Sequence, residues 1–242
     1  MNIILFEESE VDTPFSLDDP RVVHLLEVLR RKPGDVTDVG LVDGPRGKAV
    51  LRSVDEKQVE LDFSWGEEPG ALLPIDLIVG LSRPQTSRKI LQEVTSLGVR
   101  RIHFVLTDRG ERSYVTSKLW TTNEWRQCIR SGVEQAFTTR FPEVQFGLKL
   151  AESIDAMAEV PQRICLDNYE ATSSLREVAD GDQGKQAVVL AIGSERGWSA
   201  KERDRFRDHG FRLAHLGQRP LRTETAAIAA ISIVAADAGR RP

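Results

Sequence analysis

Four stretches dominated by apolar residues, Ile75–Leu81, Arg101–Leu106, Arg163–Leu166 and Ala187–Ile192, recur through the later part of the chain. The run Ile75–Leu81 predicts a strand buried on both faces, and the other three are read as further strands. Helical spacing fills the gaps between them: Ser87–Leu97, stopped by Gly98, and a long stretch Lys118–Thr139 that carries Trp120, Trp125 and Phe137. Strand and helix in alternation predict a parallel sheet with helices on both faces, an α/β domain. The pattern sharpens between Ala187 and Ala236. A strand feeds a loop holding Gly193 and Gly197, then a charged helix from Ser199 to His209. A second strand, Phe211–Leu216, feeds the loop Gly217–Arg222, and a small-residue helix begins near Thr223. Ala226–Ala236 has no charge, which predicts a buried helix.

The beginning of the chain has a different rhythm. A short strand, Ile3–Phe6, precedes Arg21–Arg30, whose apolar positions fall at helical spacing until Pro33-Gly34-Asp35 stops them. Three short strands follow, Val36–Val42, Lys48–Ser53 and Gln58–Phe63, the first two joined by the hairpin loop Asp43–Gly47. An antiparallel β-barrel is the economical fold. Composition shifts at Gly66-Glu67-Glu68-Pro69-Gly70, so two domains are expected, 1–70 and 71–242.

Charge divides the same way. Residues 1–70 carry eight Lys/Arg against sixteen Asp/Glu, whereas Arg83–Arg140 carries eleven against five and residues 193–242 ten against six. The positive field that a polyanion needs therefore lies in the later segments, despite a net charge of −4 overall. No apolar run approaches the ~20 residues of a membrane span, and the N-terminus has no signal-peptide pattern. The two cysteines, Cys128 and Cys165, and the four histidines have no metal-site spacing. A cytoplasmic, metal-free protein is the expectation.

Glycine-bearing loops between buried strands and helix N-termini are where α/β folds hold ligands. Arg222 and Glu224, flanking Thr223 at the mouth of an apolar helix, mark the second loop as the candidate site. A competing glycine pattern, Asp38–Gly44, faintly resembles the cofactor loop of Rossmann methyltransferases, but a strand follows it where a helix is required.

The two loop sequences, I-G-S-E-R-G-W-S from Ile192 and L-G-Q-R-P-L-R-T-E-T-A-A from Leu216, resemble the closing motifs of the RsmE family of SPOUT-class methyltransferases. Ser194 stands at a position where that family usually has proline, and Arg196 where it has glycine. H-L-L-E-V-L-R-R-K-P-G-D from His24, followed by Val42-Asp43-Gly44, is similar to the family's N-terminal domain. Arg88–Val99, Glu111-Arg112-Ser113 and Glu134–Val144 extend the likeness through the middle, with Ser96 for a usual glutamate and Thr138 for a usual arginine.

The resemblance implies a small PUA-like β-barrel followed by a SPOUT α/β domain with a C-terminal trefoil knot. It implies S-adenosyl-L-methionine as cofactor, a uridine N3 in small-subunit ribosomal RNA (free or in the assembled subunit) as target, and a homodimer. Carried to this chain, the cofactor-binding residues are Ile192, Gly193, Ser194, Glu195, Gly197, Leu216, Gly217, Leu221, Arg222, Thr225 and Ala226. Arg30, Arg31, Arg88, Lys89, Arg112 and Arg140 are the RNA-binding candidates, Arg30 and Arg31 forming a basic triplet with Lys32. Uridine N3 is a poor nucleophile until its proton leaves, and a guanidinium suits the resulting anion at O2 and O4. Arg222 is assigned that catalytic role, with Glu224 orienting it and Glu195 satisfying loop amides. Two alternatives stay open at this point, an RNA-binding relative with weak or no catalysis and a SPOUT enzyme for another RNA base.

Overall fold

The computed structural model describes residues 2–180 and 186–237. The chain forms two units, one of residues 1–71 with 133–141 and one of residues 72–132 with 142–242. The first cut falls where the composition shifts. The return of residues 133–141 to the first unit was not visible in the sequence pattern.

The first unit holds β1 (Ile4–Phe6), β2 (Phe15–Ser16), α1 (Pro20–Val23), β3 (Val36–Leu41), β4 (Arg46–Val54) and β5 (Gln58–Trp65). They form one sheet in the order β1-β3-β4-β5-β2, antiparallel except for β1 beside β3. Phe6, Phe15, Val22, Leu25, Val39, Leu51 and Val59 make its core, with Phe63 and Trp65 packed against it. The expected Arg21–Arg30 helix is only one α-turn long. Asp19 caps it, Pro20 opens it, and the chain widens into a π turn over His24–Val28 before Arg30 takes φ 53°.

Residues 133–141 close this unit as a strap. Asp43 donates its backbone N–H to the Thr139 carbonyl at 2.8 Å, and Thr139 Oγ1 donates to the Gly44 carbonyl. Arg140 donates to the Asp43 carbonyl at 2.9 Å, and the Asp43 carboxylate accepts from Phe141 N–H. A Cβ on Gly40 would lie 2.3 Å from the Thr139 methyl, so glycine is what lets the strap seat.

The second unit runs β6 (Leu73–Gly80), α2 (Pro84–Ser96), β7 (Val99–Leu106), α3 (Lys118–Thr121), α4 (Glu124–Gln135, whose last residues from 133 count with the first unit), β8 (Glu143–Lys149), α5 (Leu150–Asp155), β9 (Gln162–Leu166), α6 (Leu175–Asp180), β10 (Val188–Ile192), α7 (Ala200–Asp208), β11 (Arg212–Ala214) and α8 (Thr223–Asp237). Its six strands are all parallel, in the order β11-β9-β10-β6-β7-β8. Strand order reverses where β10 inserts between β6 and β9, and the carboxyl ends there form the crevice that such sheets use for ligands.

Three expectations need correction. The single helix over Lys118–Thr139 is two helices, because Asn123 adopts φ 60°, a left-handed conformation that asparagine tolerates and that ends the first. The apolar run Ile75–Leu81 contains Asp76, fully buried on β6 and bonded by Arg100 at 3.0 and 2.6 Å and by Arg101 at 2.5 Å. Helix α8, uncharged from Ala226 to Ala236, is buried on one face only. Thr223, Ala227, Ala230, Ile231 and Val234 are buried among α2, α6 and β10, while Thr225, Ser232 and Ala236 are exposed.

Candidate functional site

Three loops leave the carboxyl ends of adjacent strands and surround a cavity of about 300 Å³. The loop after β10 supplies Gly193, Ser194, Glu195, Arg196 and Gly197; the segment after β11 supplies Leu216, Gln218, Pro220, Leu221, Thr223 and Ala226; the loop after β9 supplies Asp167, Asn168 and Tyr169. Leu166 and Ile192 form the floor at the strand ends.

The β10 loop is shaped by close backbone approach. A Cβ on Gly193 would lie 2.9 Å from the Gly197 Cα, and a Cβ on Gly80, at the end of β6, would lie 2.4 Å from the Ser194 nitrogen. Gly197 turns the chain at φ 64°, whereas Arg196 has no left-handed strain, so arginine is admitted at that place without cost to the backbone. The loop is then pinned from outside. The Glu195 carboxylate accepts the Arg83 N–H at 3.0 Å, and Arg109 Nη1 donates to the Arg196 carbonyl at 3.4 Å. Ser199 and Glu202 form a reciprocal cap at the start of α7, and Glu202 also accepts the Asp108 N–H at 2.8 Å. Glu195 therefore satisfies a backbone amide.

The β9 loop was missed in the sequence. Asp167, 4% exposed, accepts backbone N–H groups of Tyr169 at 2.8 Å and Glu170 at 2.7 Å. Arg203 of α7, 6% exposed, reaches the Asp167 carboxylate at 3.5 Å, the Glu170 carboxylate at 2.7 Å and the Trp198 carbonyl at 2.8 Å. One buried guanidinium thus fastens the β9 loop to the β10 loop. The rule that selected the other two loops, glycine between a buried strand and a helix start, passes over this one, because residues 167–174 contain no glycine.

Of the residues assigned to the cofactor, Ile192, Gly193, Ser194, Glu195, Gly197, Leu216, Leu221 and Ala226 line the cavity. Gly217, Arg222 and Thr225 are not among its walls. Gly217 turns the backbone at φ 112°, and no protein atom lies within 4 Å of the position of a Cβ, so the space beside it is open. Arg222 and Glu224 do not pair. Residues two apart at a helix start point to different faces, and Glu224 meets Lys89 of α2 at 3.6 Å while Arg222 is exposed. Glu224 is therefore placed to serve Lys89 and not to orient Arg222.

The RNA-binding candidates are spread over both units. Arg88 is locked in a two-point bond to Glu124 at 2.6 and 2.9 Å, and Lys89 is taken by Glu224. Arg112 is exposed on the 3-10 turn after β7. In the first unit Arg30 is exposed, Arg31 is half-buried, and Arg140 is engaged with Asp43. Among the described residues no cluster of His, Cys, Asp or Glu is arranged to hold a metal ion, and no helix is long and apolar enough to cross a membrane.

A parallel sheet with a glycine-walled cavity at its switch point defines a nucleotide-cofactor class of site, and the comparisons with known proteins are specific. The family model of an RNA methyltransferase domain matches residues 69–235. The ribosomal RNA small subunit methyltransferase E of Treponema pallidum is 36% identical, over 98% of this chain and 92% of that one. The Bacillus subtilis protein of the same name is 26% identical over 94% and 92%. The chain belongs to the ribosomal RNA small subunit methyltransferase E family. Among solved structures, the Neisseria gonorrhoeae member bound to S-adenosyl methionine superposes with a TM-score of 0.73 at 26% identity, covering 98% and 97% of the two chains. A Legionella pneumophila protein solved with the same cofactor superposes with a TM-score of 0.79 at 25% identity, covering 98% of each.

Proposed function

We propose that this protein is an S-adenosyl-L-methionine-dependent methyltransferase of small-subunit ribosomal RNA, and that it modifies N3 of a uridine. The observation that carries the reading is the cavity walled by Gly193, Gly197 and the start of α8, in a chain of this family. Its residues fit the cofactor. The volume lies at the lower end of ligand pockets. Gly80 and Gly193 let the backbone of β6 and of the β10 loop itself pack closely behind the wall, and Ser194 places a buried Oγ without a protein partner in that wall.

Bound S-adenosylmethionine supplies an already electrophilic methyl group, so the protein has only to align, desolvate and stabilise charge. Leu216, Ile192 and Ala226 offer an apolar shelf, and the loop amides offer donors and acceptors at its rim. The N-terminus of α8 carries the positive end of a fifteen-residue helix and favours an anionic group there. Arg222, exposed one residue before that helix, stabilises the uridine anion left when the N3 proton passes to solvent water. Glu224, held by Lys89, screens the charge of α2 instead of serving Arg222.

The finer architecture belongs to the same proposal. The five-stranded first unit is read as the PUA-like barrel that helps hold RNA, and the segment through α8 as a trefoil knot. The exposed face of α8, with Thr225, Ser232 and Ala236, is read as a seam for a second copy, giving a homodimer that works in the cytoplasm. Calorimetry with S-adenosylmethionine, and mass mapping of ribosomal RNA from cells with and without the gene, test the function. An unaltered methylation map together with no cofactor binding would sink it. A monomer in light scattering at micromolar concentration would remove the dimer.

A further inference from the structure

Tyr169 is more exposed than any other large apolar side chain among the described residues, at 71%, yet it lines the cavity and sits on a rigid mount. Its backbone is fixed by the buried Asp167, and the guanidinium of the buried Arg203 stands over one face of the ring, 5.6 Å from its centroid. A Cβ on Gly197 would lie 3.5 Å from a ring carbon, so the ring looks across a position with no side chain. Arg196, exposed in the same cavity, has its carbonyl held by Arg109. An aromatic ring backed by a cation, open on its other face and bordered by a second cation, is the arrangement that stacks a nucleobase splayed out of its strand.

We propose that Tyr169 is the stacking platform for the RNA base that enters the site, with Arg196 beside it on the flanking phosphate. This rests on the methyltransferase reading above and adds the residues that receive the substrate. A flat ring could also come from the cofactor's adenine. The exposure of Tyr169 favours the RNA base, because the sheltered walls at Ile192, Leu216 and Ala226 lie deeper and suit the adenine better. Tyr169 is a solvent-facing side chain, so its replacement leaves the fold intact.

The test uses the full chain with Tyr169→Ala and Tyr169→Phe. Methyl transfer to unmodified small ribosomal subunits is measured with RNA varied at saturating cofactor, and cofactor Kd is measured by calorimetry. The alanine variant is expected to raise the KM for the subunit about tenfold or more, since a stacked base is lost. Cofactor Kd should stay within about twofold, and the phenylalanine variant, which keeps the ring, should recover most of the KM that the alanine variant loses. A parallel loss of cofactor affinity would assign the ring to the adenine and overturn the proposal. An alanine variant indistinguishable from an active wild type would overturn it too. A wild type that neither binds cofactor nor methylates would instead refute the underlying function, and the platform with it.

Discussion

Gly80→Ala tests how the cofactor loop is built. Gly80 ends β6, and the added methyl would lie 2.4 Å from the Ser194 nitrogen, 3.1 Å from the Gly193 carbonyl carbon and 3.0 Å from the Thr107 methyl. Ordinary contact begins near 3.5 Å, so the β10 loop must retreat by about 1 Å. Two of the three opposing atoms are backbone, and no rotamer change relieves them. The loop cannot drift freely either, because Glu195 is tied to Arg83 N–H and Arg196 to Arg109. Overpacking of this kind costs about 1–3 kcal/mol. If the strain falls on the binding-competent loop, cofactor Kd rises about tenfold for each 1.4 kcal/mol. We expect a loss of tenfold or more by calorimetry, with a lowered thermal midpoint. Gly70→Ala, where a Cβ meets nothing within 4 Å, is the matched control and should change neither. Wild-type affinity in Gly80→Ala would mean that the approach of β6 does not shape the site.

Arg222→Ala should leave cofactor Kd within about tenfold while turnover falls about a hundredfold or more, as for other preorganised charge-stabilising groups; equal losses in both would refute a role for Arg222 on the developing anion. Arg203→Met strands the Asp167 carboxylate and should destabilise the second unit by about 3 kcal/mol in urea unfolding, and a change under 1 kcal/mol would refute its role as fastener. Burial pushes the Asp76 carboxyl up, but the hydrogen bonds from Arg100 and Arg101 outweigh it and hold the group below its ordinary value. Its contribution is therefore complete above the unfolded pKa of about 3.9 and is lost as pH falls through the lower folded value. The stability gap between the wild type and Asp76→Asn should be constant from neutrality down to about pH 5 and shrink below pH 4, and a gap that widens on acidification would contradict the pairing.

The parallel sheet and the two glycine loops were legible because their signals are local. Val188–Ile192 is an unbroken apolar strand, and Gly197 marks a turn that few other residues make. What escaped was long-range. Gly80 reads as the end of a strand, and only its approach to Ser194 makes it part of the site. Lys89 and Glu224 are neighbours through the packing of α2 on α8, which no spacing along the chain encodes. Arg203 lies in a helix with six other charged residues, and nothing in that pattern distinguishes it and Glu202, the two that turn inward. β8 was overlooked because it is an edge strand with Gly147 interrupting its alternation.

The strap of residues 133–141 has a bearing on how the protein is made. A ribosome that has delivered residue 71 has delivered all five strands of the first unit but not the segment that latches its Asp43–Gly44 hairpin. About seventy further residues must follow, and at roughly 5–20 residues per second that takes on the order of ten seconds. During this interval β6, α2 and β7 emerge while the earlier sheet still lacks Thr139 against Gly40. The nascent N-terminal unit therefore has to wait, partly assembled, for its own last piece, and the usual order of one domain completed before the next begins does not hold for this chain.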